Sequence, residues 1–283
     1  MDSGTAADAA LVNDYYTLCI PFYREFLGDH WHTGWHAKPG PPLPEDKLLM
    51  ETRIAASAGV DASCTVLDVG CGIGGPACHL ATRTGARFHG LTPNPAQIEL
   101  ARDHARAMGL EGRVSFTLGS AEALPFDDAS IDVVLFFESA CHFPDRAQFF
   151  REAHRVLRPG GRLAGEDWLA RWPSGRRDDA AAWHRAVESR WAIPALGSLQ
   201  DYAEGMRAAG FRPVEAVDLR DEMFLLQGFA ANADDRRAMR GRRQVTTDPI
   251  RRKILEALEL LGEATERGAF TVGRFLAVKS AGA

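Results

Sequence analysis

Four of the six residues from Gly70 to Gly75 are glycine, and they follow directly on Asp68 and Val69. Glycine lacks the Cβ that holds a ligand off the backbone, and it permits a tight turn. A ligand can therefore lie across Gly70, Cys71 and Gly72 and touch main-chain atoms. Gly70, Gly72 and Gly75 also satisfy the G-x-G-x-x-G spacing of a dinucleotide loop, a weak signal alone. A dinucleotide site needs an acid about 20 positions further on to hold the ribose. The stretch there ends in Thr92-Pro93-Asn94, with no carboxylate. The acid sits early instead, at Asp68. That suits a ligand cationic near the loop, as a sulfonium amino acid is.

A second group follows the apolar run that ends in Phe136-Phe137. Glu138 and His142 are four apart just beyond it, so both can point into a site at a sheet edge. An imidazole with a pKa of about 6.5 can take the proton of a hydroxyl or phenol. The competing role for His142 is packing the turn before Pro144. Glu166 and Asp167 stand immediately before Trp168 and are expected to end a strand. A carboxylate there can remove a proton from carbon, hold a polar substrate group, or anchor cap backbone. His30, His32 and His36 match no standard zinc spacing, and no cysteine or carboxylate cluster joins them in sequence, so no metal is expected. Trp31, Trp35, Trp168, Trp172, Trp183 and Trp191 all fall outside the inferred strands. They suit an apolar or flat substrate, or the anchoring of a cap. Arg236, Arg237, Arg240, Arg242 and Arg243 form one basic patch, and Arg171, Arg176 and Arg177 another. Each reads as a solvated face or as the seat of an anionic substrate group such as a diphosphate.

These groups need a scaffold, and the apolar patterning supplies one. Strands are expected at 65–69, 87–91, 114–118, 131–137, 162–166, 211–218 and 269–278, with helices at about 76–84, 95–108, 146–157 and 198–209. Strands separated by helices of 10–15 residues indicate an α/β fold with a doubly wound, mostly parallel seven-stranded sheet. The preceding 48–58 reads as a helix, and 11–27 as a helical pair or one helix broken at Pro21, after a loose tail at 1–10. The expected segments are a helical lid at 1–47, a core at 48–167, and cap insertions at 168–197 and 222–267. A core helix and strand at 198–221, and the last strand and tail at 268–283, complete the chain. With 283 residues and 46% apolar content the chain is long enough for a full core. A net charge of −5 argues against a nucleic-acid binder. Five scattered cysteines without a C-x-x-C pair suggest a reducing compartment. No leader and no apolar run of 18 residues is evident, so a cytoplasmic protein without a membrane partner is expected.

The stretch from Val66 to Gly75 resembles motif I of class I S-adenosylmethionine-dependent methyltransferases. The similarity continues through 90–97, 121–126 and 155–161. It is strongest towards the small-molecule branch of sterol and tocopherol methyltransferases and cyclopropane-fatty-acid synthases. This resemblance implies a Rossmann-like fold, an antiparallel last strand, and S-adenosylmethionine as cofactor. It implies that Asp68, Gly70, Cys71 and Gly72 hold the methionine moiety. Thr92 and Gln97 stand in for the usual acidic ribose ligand, Ser120, Ala121 and Glu122 border the adenine, and Phe137 joins the set. Tyr16 and the histidine/tryptophan stretch form a lid, and His142, Glu138 or Glu166 act on protons. The expected substrate is a small, mostly apolar molecule. The reading favours carbon of a prenyl, terpenoid, quinone or other specialised metabolite, with oxygen or nitrogen as alternatives. A cofactor-binding cyclase or scaffold that no longer methylates is a further alternative, and a nicotinamide oxidoreductase a third reading.

Overall fold

In a computed structural model, residues 3–38, 43–172, 177–224 and 233–281 are described. Arg176, in one of the basic patches, lies outside them. The chain opens with α1 (Ser3–Leu27) and α2 (Pro44–Ser57). It then alternates β1 (Thr65–Val69), α3 (Gly75–Thr84), β2 (Arg87–Thr92), α4 (Pro95–Ala107), β3 (Val114–Leu118), β4 (Ile131–Phe137), α5 (Arg146–Val156) and β5 (Leu157–Ala170). The rest comprises α6 (Arg177–Trp191), α7 (Leu199–Ala208), β6 (Val214–Asp218), α8 (Ala233–Val245), α9 (Pro249–Glu266) and β7 (Phe270–Val278).

The sheet order is β3-β2-β1-β4-β5-β7-β6, and β7 runs antiparallel to both neighbours. Its central strands β1 and β4 are buried on both faces, as parallel strands under crossover helices must be. In β4, Val134 and Phe136 pack with α5 and α7, while Val133, Leu135 and Phe137 pack with the helices on the opposite face. The order reverses between β1 and β4. At such a switch point the connections leave in opposite directions and open a crevice beyond the strand ends.

Four expectations are corrected. First, α1 is one helix that begins at Ser3 and runs through Pro21. The proline sits on the exposed side, where water can satisfy the carbonyl it leaves unbonded. Cys19, Ile20, Phe22 and Tyr23 are buried on both sides of it and hold the helix together. Second, β5 starts at Leu157 and does not stop at Glu166. A register irregularity absorbs 158–161, and Trp168, Leu169 and Ala170 continue pairing with Val272, Thr271 and Phe270 of the long β7. Third, Trp168 is therefore a sheet residue. Fourth, β6 begins only at Val214, because Pro213 has no N–H to donate to a ladder. Among the described residues no helix is long and apolar enough to cross a membrane.

Candidate active site

The β1–α3 turn lies at the crevice. Gly70 and Gly72 have φ of +81° and +53°, conformations that side chains resist. A Cβ on Gly70 would stand 2.3 Å from that of Ser139, whose hydroxyl donates to the Val69 carbonyl at 2.6 Å. Glycine thus lets the ends of β1 and β4 close up, leaving bare backbone along one wall. The cleft above it has a volume of about 1120 Å³, part of it open to solvent. Tyr16, Asp68, Gly70, Cys71, Gly72, Thr92, Gln97, Ser120, Ala121, Glu122, Phe137, Glu138 and His142 all line it.

Asp68 is buried, and its Oδ2 has no partner within the protein. Burial and the charge of Glu51 push its carboxyl up to about 7, with His32 opposing. An orphaned buried carboxylate beside a bare glycine turn fits a cationic ligand and fits a pyrophosphate poorly. Further along, the Thr92 hydroxyl donates to Gln97 at 2.6 Å, and Asn94 caps α4 by accepting from the Gln97 amide at 3.1 Å. The Asn94 side chain also donates to the Asn13 carbonyl at 3.1 Å and the Thr17 hydroxyl at 2.8 Å. The lid helix is thereby tied to the β2 turn through Asn13 and Thr17, which bracket Tyr16. At the far end the Ser120 hydroxyl donates to Glu122.

The opposite end holds the acid–base groups. Glu138 sits at φ +45°, a strained conformation for a non-glycine residue, and its Oε1 accepts from the Thr33 amide at 2.9 Å. His142 Nδ1 faces the Ala192 carbonyl at 3.4 Å, and Ala192 is itself at φ +50°. A carbonyl only accepts, so Nδ1 carries the proton. Nε2 then offers its lone pair to the Tyr16 hydroxyl at 2.8 Å. Burial, helped by the Arg146 charge, pushes His142 down to about 4. The imidazole is neutral throughout the physiological range.

Glu166 is not brought into the cleft. It is fully buried beneath it, 3.7 Å from His32 Nδ1, and burial with the charges of Glu138, Asp167 and Glu51 holds its carboxyl well above the usual range. Asp167 accepts from the Cys141 amide at 2.9 Å and the Tyr202 hydroxyl at 3.0 Å, the anchoring role.

The histidine cluster divides. His36 bonds Asp46 at 3.0 Å, while His30 and His32 converge on Glu51 of α2. A carboxylate does join them, contrary to the sequence expectation, together with His79 of α3. Nothing in the spacing of α2 and α3 announces that meeting. Lys47 Nζ also donates to the Leu27 and His30 carbonyls at 2.8 and 2.6 Å, seating the lid loop. Of the tryptophans, Trp31 lines the cleft and stacks on Tyr16 at 6.5 Å. Trp168 and Trp191 pack edge to face at 5.0 Å under the cap, the anchoring role. Arg240 and Arg243 pair with Glu259 of α9, and Arg171 with Asp218.

The Methyltransferase domain family matches residues 67–165. "Methyltransferase GfsG" of Streptomyces halstedii is 39% identical over 226 residues, 77% of this chain and 80% of that one. The chain belongs to the S-adenosylmethionine-dependent methyltransferase family. A second relative, "27-O-demethylrifamycin SV methyltransferase" of Amycolatopsis mediterranei, is 37% identical over 72% of this methyltransferase and 74% of its own length. The cyclopropane synthase MmaA2 of Mycobacterium tuberculosis shares the fold, with a TM-score of 0.80 at 18% identity over 96% of this chain and 98% of that one. S-adenosylmethionine is the cofactor, and the unpartnered buried Asp68 oxygen beside the glycine turn fits a group with a cationic end.

Proposed function

We propose that this methyltransferase modifies a hydroxyl oxygen of a largely apolar specialised metabolite. The carrying observation is the Tyr16–His142 pair at the reacting end of the cleft: a neutral imidazole nitrogen aimed at a phenolic hydroxyl, under a lid. An attacking hydroxyl has to lose its proton as its oxygen bonds to carbon. His142 receives that proton through the Tyr16 oxygen, which passes on its own. S-adenosylmethionine supplies the activated methyl group when bound. Asp68 holds the cationic end, and Thr92 with Gln97 offers a hydroxyl and an amide to the ribose. Tyr16 and Trp31 exclude water, so that positioning contributes much of the acceleration.

The name of the Amycolatopsis relative, which specifies an O-demethyl substrate, supports oxygen as the acceptor. Trp31, Phe137, Phe143 and Pro144 on the cleft walls support an apolar substrate. Carbon methylation with a carboxylate as the base would need Glu138 or Glu166 to take a proton from carbon afterwards. Glu166 is sealed below the cleft and Glu138 is engaged by Thr33, which favours oxygen over carbon. The arginines of the α8 patch that pair with α9 support no diphosphate seat. Five free cysteines, four of them buried, are in keeping with a reducing cytoplasm.

The test incubates the purified chain with methyl-labelled S-adenosylmethionine and a panel of largely apolar metabolites that carry a hydroxyl, 27-O-demethylrifamycin SV among them, each beside its deoxy analogue. The expected product carries one label on oxygen, assigned by mass spectrometry and NMR, and the deoxy analogue stays unlabelled. Label on carbon, or equal labelling of the deoxy analogue, overturns the proposal.

A further inference from the structure

Glu51 is surrounded by imidazoles from three directions. Its Oε1 lies 2.5 Å from His30 Nδ1 and 2.8 Å from His32 Nε2, and its Oε2 lies 2.5 Å from His79 Nδ1. His30 and His32 come from the lid loop, Glu51 from α2 and His79 from α3. The Glu51 and His32 side chains are 0% and 1% exposed, while His30 and His79 are 21% and 19% exposed. The donor atoms of His30, His32 and Glu51 lie within 4.8 Å of one another. Methyl transfer as described above makes no use of this cluster.

His32 is held in the orientation of a ligand. Its Nδ1 donates to the Thr33 carbonyl at 2.9 Å, and Nε2 of the same ring faces the Glu51 carboxylate. A bond from Nδ1–H to a backbone carbonyl is the outer hydrogen bond that orients a metal-ligating imidazole.

We propose that His30, His32 and Glu51 form a site for one divalent transition-metal ion of the zinc type, stapling the lid loop to α2, with His79 of α3 holding the second carboxylate oxygen. Two imidazole nitrogens and one carboxylate oxygen suit zinc, cobalt or nickel, and suit magnesium or calcium poorly. Bonds of about 2.0–2.1 Å to a tetrahedral ion place neighbouring ligand atoms about 3.3 Å apart. His30 and His32 therefore step back from Glu51 by roughly half an ångström on binding, and the part-exposed His30 has room to do so. Three protein ligands leave the fourth position to water, and methyl transfer as proposed uses none of the three. The site is independent of which atom accepts the methyl group.

The test strips the purified full chain with a chelator. It then titrates zinc chloride by calorimetry and cobalt chloride by visible absorption, and follows the melting temperature. The expected result is one equivalent of zinc with a Kd below about 1 μM, an undemanding value for a structural site. A tetrahedral cobalt spectrum and a higher melting temperature accompany it. Glu51→Gln and His30→Ala each weaken zinc binding at least tenfold. His30 is part-exposed, and Glu51 keeps His32 and His79 without it, so His30→Ala decides the matter if Glu51→Gln does not fold. Absence of stoichiometric zinc binding by the stripped wild-type chain overturns the proposal and leaves a hydrogen-bonded cluster around Glu51. Zinc binding unchanged in His30→Ala also overturns it, because the ion then sits elsewhere.

Discussion

Cofactor affinity should rise with pH until the Asp68 carboxyl is ionised, and then level off. In the free protein, burial and Glu51 push that carboxyl up to about 7. A cationic ligand pairs only with the ionised form, so below this value the protein must first release a proton. Each pH unit below about 7 then weakens binding by about tenfold, or about 1.4 kcal/mol. Between pH 8 and pH 5 the loss is about 100-fold, or about 2.7 kcal/mol, with a slope near one in log Kd. For the ligand-free fold the sign is opposite. A raised carboxyl means that the native state holds its proton longer than the unfolded chain, so stability declines as pH climbs towards 7. Calorimetry of S-adenosylmethionine from pH 5 to 8, in two buffers of different ionisation enthalpy, reads both affinity and protons released. About one proton should leave on binding at pH 5.5 and almost none at pH 8. Asp68→Asn should bind weakly with a flat profile. A flat wild-type profile, or a slope that survives in Asp68→Asn, would refute the assignment.

Other outcomes follow from the same geometry. Gly70→Ala places a Cβ 2.3 Å from that of Ser139 at φ +81° and should cost roughly 2–4 kcal/mol in urea unfolding, together with cofactor binding. Gly28→Ala, at φ +71° with nothing within 4 Å, is its control and should cost only about 1–2 kcal/mol. Because His142 is pushed down to about 4, kcat should stay level as pH falls from 8 to about 5. His142→Ala should lower kcat by about 10²–10⁴-fold at every pH while keeping cofactor affinity, and a wild-type break near 6.5 would contradict the burial of this base. Thr17→Val removes one of the lid's two bonds to Asn94 and should speed cofactor release in stopped flow with little change in melting temperature. Asn94→Ala also uncaps α4 and should cost about 1 kcal/mol of stability.

Local chemistry made much of this protein readable from the sequence. Apolar runs broken by helical periods define the parallel sheet, because strands covered on both faces have to be apolar throughout. The residues expected to hold the cofactor sit at strand ends and helix starts, where a glycine, an acid or a cap announces its role within a few positions. Asp68, Gly70, Gly72, Thr92 and Gln97 are of this kind, and all line one cleft. Meetings between distant segments carry no such mark. Tyr16 and His142 are 126 positions apart, and Glu51 gathers imidazoles from the lid loop and α3. The length of β5 was likewise decided by its partner: β7 supplies the hydrogen bonds that carry the strand past Glu166, leaving that carboxyl under the cleft. Residue type and short spacing report what a segment can do alone. Packing across the sheet and under the lid decides which side chains touch, which stay dry, and which protons they hold.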